Sequence, residues 1–279
     1  MREKEIKMLK YIILITAKLI EPVGKLEEEC RQKQVELHYV LPEKTTLISE
    51  TLYITDDEEI AKELMEEKAN VLVWLHEDNK GQNFSCTPYA FENIEEIDFA
   101  YIERVYQRFR KLPWTICETQ RCIIREMTEE DIDAIYDIYS GESITRYMEG
   151  LYEDRKEELE FMRSYIENEY TFWGYGTWLI VRKEDEKIIG RVGFNMREGF
   201  EEPEMGFVVG EKYQRQGYAL ECCKAALKVG KDDYEFEKVQ VLVKKGNVAS
   251  VQLSEKLGFM LEQEVEIEEE NYLRYTLKI

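Results

Sequence analysis

Histidine is scarce in this chain of 279 residues, which contains only His38 and His76. Neither histidine has a partner at the spacing that metal ligands need, so a zinc centre lacks its parts. A serine protease-like triad lacks its base by the same argument. We therefore expect no metal cofactor and no triad chemistry.

The six cysteines form no Cys-x-x-Cys motif. Cys222 and Cys223 are adjacent on a predicted helix, where their side chains diverge. We expect free thiols, which are typical of proteins from a reducing compartment.

Long apolar runs and excess positive charge are also missing. The stretch from Tyr11 to Ala17 is too short to span a bilayer, and it lacks a small-residue cleavage site. The chain carries 59 acidic against 38 basic side chains, a formal charge of −21. This charge argues against nucleic acid or an anionic membrane as a partner, and it would attract a cationic acceptor. We expect a cytoplasmic protein.

One segment combines a strand, a polar turn and a helix start. Residues 204–219 read EMGFVVGEKYQRQGYA. Gly217 lets the backbone approach a ligand closely, and the small Ala219 keeps bulk away from the first helical turn. The amides of that turn and the positive end of the helix favour an anion. The segment therefore predicts a phosphate-binding loop.

A second strand and helix follow downstream. The β-branched run Lys238–Val243 leads to Asn247 and Ser250, and the helix that begins there ends at Gly258, before Phe259. Asn247 suits the unpaired amides of a helix start, and Gly258 suits the left-handed conformation that ends a helix.

Together, the two segments resemble the signatures of the GNAT N-acetyltransferases. Gln214 to Ala219 match the Gln/Arg-x-x-Gly-x-Gly/Ala turn, whose amides hold the pyrophosphate of coenzyme A in that family. Asn247-x-x-Ser250, followed by Leu-Gly-Phe, matches the second signature. The resemblance extends from Arg121 to Ile279 and is closest to the branch that includes the ribosomal-protein alanine acetyltransferases.

The resemblance implies a GNAT fold for a domain at residues 119–279, with a mixed, mostly antiparallel sheet flanked by helices. After a first strand at Cys122–Arg125, two helices, three strands, a helix, a strand, a helix and a final strand pair are expected. The overall fold class is therefore α+β or α/β.

Residues 1–118 predict a separate, small α/β domain. Leu52–Thr55, Asp57–Lys68 and Val71–Leu75 indicate a strand, a helix and a strand that pairs in parallel with the first. A short strand at Tyr89–Phe91 and a helix at Phe99–Phe109 follow.

The stretch around Asp56 faintly resembles the phosphatase-like haloacid dehalogenase domain. The nucleophilic aspartate of that chemistry has no counterpart, because the segment before Leu47 contains no aspartate. Asp56 and Asp57 are expected as a helix cap and a first-turn charge. The domain is interpreted as non-catalytic, as a docking or dimerisation surface that would allow a homodimer.

For the co-substrate, the resemblance implies that pantetheine pairs with the fourth strand of the domain, where that strand splays from its neighbour. The pyrophosphate would lie on the loop, and the second signature would add contacts. The implied acetyl-CoA site comprises Phe207, Val208, Val209, Gln214, Arg215, Gln216, Gly217, Tyr218, Ala219, Asn247 and Ser250.

The acceptor must react as a free amine, although a lysine-like amine has a pKa of about 10.4. Glu204 heads the fourth strand, where family members often carry a glutamate, and it is the implied base. Ser254 stands where some members have a tyrosine acid, and serine is a poor acid, so the general acid stays unassigned. Family geometry places the acceptor near the loops at 140–152 and 196–203. The aromatic run 170–178 is interpreted as core.

The leading hypothesis is an N-acetyltransferase that moves an acetyl group from acetyl-CoA to a primary amine, on a small molecule or a protein N-terminus, by direct attack. The alternative is an acyl-CoA sensor or interaction module with little or no turnover, which the missing tyrosine favours. A phosphatase centred on Asp56 is a third hypothesis.

Overall fold

The fold is built on two separate β-sheets, which have five and eight strands over the residues described. The computed structural model describes residues 8–18, 24–42, 47–148 and 150–279. The chain divides into one unit that ends at Leu112 and another from Pro113 to Ile279, and each sheet belongs to one unit. Across the described residues, no helix has the length and apolar character needed to cross a membrane.

The sheet of the first unit is parallel throughout, in the order β2-β1-β3-β4-β5. Its elements are β1 (Tyr11–Ile15), α1 (Gly24–Lys33), β2 (Glu36–Val40), β3 (Thr51–Thr55), α2 (Glu58–Glu66), β4 (Asn70–Trp74), β5 (Ala90–Phe91) and α3 (Phe99–Phe109). The central strands are buried apolar runs, as expected when helices cover both faces of a parallel sheet.

The predicted strand–helix–strand unit is confirmed as β3, α2 and β4, and the predicted helix at Phe99–Phe109 is confirmed as α3. The first three elements were not predicted. The run that forms β1 is too short for a membrane span and lacks the cleavage site of a signal peptide, but a short apolar run between lysines is also typical of a buried parallel strand.

The cap of α2 is Asp57, one residue later than expected, because its Oδ1 accepts hydrogen bonds from the amides of Glu59 (2.9 Å) and Ile60 (3.0 Å). The expectation for Asp56 was wrong. Its Oδ2 instead accepts a hydrogen bond from Thr16 Oγ1 (2.6 Å) and lies 3.1 Å from His76 Nε2. Thr16, Asp56 and His76 follow β1, β3 and β4, so they meet at the carboxyl edge of the sheet.

The sheet of the second unit has the order β12-β13-β11-β10-β9-β8-β7-β6, and only β10 and β11 are parallel. Its strands are β6 (Thr115–Glu118), β7 (Cys122–Arg125), β8 (Thr177–Arg182), β9 (Ile188–Asn195), β10 (Glu204–Val209), β11 (Lys238–Lys244), β12 (Met260–Ile267) and β13 (Glu270–Lys278). Its α-helices are α4 (Ile132–Tyr139), α5 (Glu142–Thr145), α6 (Arg155–Tyr165), α7 (Tyr218–Asp232) and α8 (Val248–Leu257). The mixed, mostly antiparallel sheet is confirmed.

The strand β6 corrects the expected boundary at residue 118. Thr115–Glu118 pairs with β7 and so belongs to the second sheet. The turn is held by Thr119, whose amide donates to Cys122 O (2.8 Å) and whose Oγ1 accepts from Cys122 N (2.9 Å). The turn residues 119–121 include neither glycine nor proline, so the hairpin had no clear sequence signal.

The helices α6 and α7 cover opposite faces of the second sheet. Gly230 of α7 packs so closely on Phe194 that an added Cβ would lie 3.1 Å from its Cζ. Tyr165 of α6 donates a hydrogen bond to Asn195 Oδ1 (2.6 Å). Since successive residues of a strand point to opposite faces, Phe194 marks the α7 face and Asn195 marks the α6 face.

Candidate functional site

The parallel strands β10 and β11 diverge. They pair only at Glu204 and Gln240, next to a hydrogen bond from Gln240 N to Pro203 O (2.9 Å). On its other side, β10 pairs with β9 along its whole length, up to Val209. Over the described residues, the part of β10 from Phe207 to Val209 has no strand partner on the β11 side. The sheet therefore contains an opening between this part of β10 and β11.

The loop after β10 lies at the wide end of this opening. Gln214 Nε2 donates to Val209 O (3.0 Å), and Gln216 Nε2 donates to Lys212 O (2.8 Å). Arg215 and Gly217 adopt left-handed conformations, with φ of 59° and 84°. Residues 214–217 are exposed. The two glutamines of the loop thus bind carbonyl groups of the same segment.

The helix α7 begins at Gly217 without a side-chain cap. The first amides of a helix have no partner within the helix, and the helix dipole adds partial positive charge there. An uncapped start beside an exposed loop is therefore suited to an anion. A Cβ at position 217 would lie 3.4 Å from Arg121 Nη2, so glycine also keeps this approach clear.

Arg121 adds a cation to the loop, and sequence reasoning did not find it. Its guanidinium lies 4.2 Å from the ring centre of the buried Tyr218 and donates to Gln216 O (3.0 Å). It also pairs with Glu221 of α7 (2.6 Å). The contacts join residues about a hundred positions apart, and such pairing has no local sequence signal.

The second predicted motif lies on the opposite side of the opening. Asn247 Oδ1 accepts from Ser250 N (3.1 Å) and caps α8, as predicted, and Gly258 ends the helix with φ of 96°. Because β10 and β11 are parallel, α7 and α8 both begin at the same edge of the sheet.

These features agree with the comparisons with known proteins. The family model described as the acetyltransferase (GNAT) domain matches residues 121–260, half of the chain. The chain belongs to the GNAT acetyltransferase family. The predicted family is thereby confirmed, and the residues before 121 lie outside the match.

Relatives of the GNAT domain are recognisable by sequence and by structure. The uncharacterised N-acetyltransferase YoaA of Bacillus subtilis is 28% identical over 153 residues, which are 53% of this chain and 84% of that protein. An acetyltransferase of Agrobacterium tumefaciens has a TM-score of 0.51 at 23% identity and covers 58% of this chain and 94% of its own. RimL, a ribosomal L7/L12 N-acetyltransferase solved with coenzyme A, has a TM-score of 0.50 at 16% identity. The match covers 59% of this chain and 97% of RimL. The protein is thus an acyltransferase of the GNAT fold.

Glu204, the predicted base of the GNAT domain, lies at the closed end of the opening on the α6 face. Its Oε2 accepts from Arg197 Nε (2.6 Å). Burial raises the pKa of Glu204 above its ordinary value, and Arg197 offsets part of this effect. Gly206 follows Glu204 by two residues in β10 and lies on the same face of the sheet. A Cβ added to Gly206 would meet no atom within 4 Å. This face of β10 is therefore open at Gly206, two residues from Glu204.

Ser254 is wholly buried in α8, and its Oγ has no hydrogen-bond partner among the described residues. A hydroxyl in this environment is a poor proton donor at neutral pH, as expected from the sequence. The geometry provides no clear general acid at this position of the GNAT domain.

The loop at 140–152 is joined to the turn that follows β10; residue 149 lies outside the described residues. Glu211 Oε1 accepts from both the amide (3.0 Å) and the hydroxyl (2.5 Å) of Ser143 in α5. These bonds lower the pKa of Glu211. In the aromatic run 170–178, Tyr170 and Trp178 are core residues, whereas Phe172 is 78% exposed.

Proposed function

We propose that the protein transfers an acetyl group from acetyl-CoA to a primary amine, on a small molecule or a protein N-terminus. The observation that supports this most is the uncapped start of α7 at the wide end of the β10–β11 opening. The GNAT family uses acetyl-CoA, and one structural neighbour, RimL, was solved with coenzyme A.

The co-substrate would bring an activated acyl group on a diphosphate-bearing carrier. Amides of residues 216–219 would hold the diphosphate, with Gln214, Arg215 and Tyr218 shaping the loop. The edge of β10 at Phe207, Val208 and Val209 would bind the pantetheine, and Asn247 and Ser250 would border it from α8. An amide of β10 would stabilise negative charge on the carbonyl oxygen during attack.

Glu204 would accept the proton that the amine loses, directly or through a water. The raised pKa of its carboxyl group makes it a stronger base than an exposed glutamate. The charge of −21 would attract the ammonium form of the acceptor and raise its encounter rate.

The second candidate function is an acyl-CoA sensor without turnover. The buried, unpartnered hydroxyl of Ser254 favours it, because the leaving thiolate would have no side-chain acid there. In either case we propose a cytoplasmic protein, since the six cysteines are free thiols. We also propose that it has no nucleic-acid or membrane partner, since its formal charge is −21. A docking or dimerisation role remains our proposal for the first unit.

Two measurements test these proposals. Calorimetry with acetyl-CoA should give saturable binding, and the lack of binding at millimolar ligand would refute both functions. Release of free thiol from acetyl-CoA across a panel of amines then separates them, because a sensor would bind without turnover.

A further inference from the structure

Arg191 is a cation on the α6 face of β9, and among the described residues it has no acidic partner. The one hydrogen-bond contact found for it there is between Nη1 and Tyr139 Oη, at 3.5 Å. Its Nε is buried and has no partner within the described part of the chain. The polar groups that act on it most strongly are hydroxyls of tyrosines, namely Tyr139, Tyr165 and Tyr170.

The other half-buried arginines of this unit show how unusual this is. Arg125 pairs with Asp131 (2.7 Å), Arg182 with Asp185 (2.6 Å) and Arg274 with Glu202 (2.6 Å). Carboxylates outnumber cations by 59 to 38 in the chain, so a partner would be easy to supply. A desolvated guanidinium without a counterion is costly, and the tyrosine ring and hydroxyl offset this only in part.

The position of Arg191 connects it to the proposed acceptor site. Arg191 pairs with Val208 of β10, so the two side chains share one face, and Gly206 is the diagonal neighbour. Diagonal neighbours are about 7–8 Å apart, within reach of a long side chain. The space above Gly206 is open, and Glu204 lies on its other side along β10. Arg191 and Glu204 thus lie on the same face of the sheet, on either side of the open space above Gly206.

We propose that the acceptor is a primary amine that also carries a nearby carboxylate, as in a free amino acid. Arg191 binds the carboxylate, and Glu204 faces the amine. A guanidinium presents donors in a planar fork that matches a carboxylate with two parallel bonds. This inference rests on the proposed acetyl transfer and specifies the acceptor, whose ammonium and carboxylate groups both find a partner.

The test compares matched acceptors. Thiol release from acetyl-CoA is measured with each of the common amino acids, with its carboxamide, and with a dipeptide that begins with aspartate. For at least one amino acid, we expect kcat/KM to exceed that of its amide by about 100-fold, the scale of losing one partner of a desolvated charge pair. A higher kcat/KM for the dipeptide than for any free amino acid would still support recognition of a carboxylate, and it would indicate an acidic protein N-terminus as the acceptor.

Variants then assign the effect to the residue. Arg191→Met should remove the preference by lowering kcat/KM for the carboxylate only, and Arg191→Lys should restore part of it. Arg163→Met is the matched control, because it also removes one positive charge but from an exposed ion pair with Glu129. Arg163→Met should leave kcat/KM unchanged for both the amino acid and its amide.

The proposal would be overturned if the wild type had the same kcat/KM for amino acids and for their amides. It would also be overturned if Arg191→Met lowered kcat/KM equally for both. If that variant does not fold, the wild-type comparison decides alone. If acetyl-CoA does not bind, the proposed function fails first. If it binds without turnover, a rise in the melting temperature with an amino acid but not its amide supports the carboxylate site, and no such difference refutes it.

Discussion

The two units contain the same kind of junction, a parallel strand that leads into a helix, but they complete it differently. In the first unit, Asp57 caps α2 with two hydrogen bonds, and Asp56 accepts from Thr16. In the second unit, α7 begins at Gly217 with no side-chain cap, and the preceding loop is exposed.

We interpret the difference as that between a structural junction and the proposed ligand-binding one. Ligands of open parallel sheets bind outside the carboxyl ends of the strands, so the junction at α2 also stands where a site is expected. At α2 the chain supplies its own anions and satisfies the amides. At α7 no side chain caps the first amides, and under the proposed function an external anion would complete the helix start. The predictions below run from the largest expected effect to the smallest.

Replacing the base should have the largest effect. Glu204→Gln keeps the shape of the side chain but removes its ability to take a proton, so we expect kcat to fall by about 10²–10⁴-fold. Acetyl-CoA affinity should stay unchanged in calorimetry, because Glu204 lies at the closed end of the opening. An unchanged kcat would show that another group or water is the base.

Closing the loop should abolish most co-substrate binding. Gly217→Glu places a side chain in a left-handed conformation beside Arg121 and a negative charge at the helix start. We expect acetyl-CoA affinity to fall by about 100-fold, the scale of losing charge-assisted hydrogen bonds. Gly199→Glu is the matched control, because Gly199 has φ of 86° and open space around it. Equal losses in both variants would mean that backbone strain, not the loop, is responsible.

Many features of the two units could be predicted from local sequence, but some could not. The loop, α7 and the cap at Asn247 each depend on a few adjacent residues, so their patterns were sufficient. Arg121 and Arg191 are placed by strand pairing with distant segments, and no local pattern shows which charges will meet. The hairpin at Thr119 and the strand β1 were missed because their residues fit more than one structure.

Removing the cap of α2 should affect stability alone. Asp57→Ala leaves two amides unsatisfied, so we expect a loss of about 1 kcal/mol in the free energy of unfolding. Chemical denaturation measures this loss, and acetyl-CoA affinity serves as the control. A large loss of acetyl-CoA affinity in Asp57→Ala would contradict the distinction between the two junctions.

The smallest expected effect is a pH dependence linked to Glu204. Burial raises its pKa in the folded protein above the ordinary value of 4.5. The protonated form therefore contributes stability that is full below about pH 4.5 and is lost as pH rises through the folded pKa. As pH rises from about 4.5 through the folded pKa, the free energy of unfolding of the wild type should fall relative to that of Glu204→Gln. Above the folded pKa, the difference between the two proteins should stay constant. A difference of opposite sign would show that the pairing with Arg197 outweighs burial.

Hydrogen exchange of backbone amides, with and without coenzyme A, tests the central claim most directly. The account predicts that ligand slows exchange at residues 216–220, at the start of α7, and leaves the capped start of α2 at Glu59 and Ile60 unchanged. Saturating coenzyme A that leaves α7 unprotected, or that protects α2 instead, would contradict it.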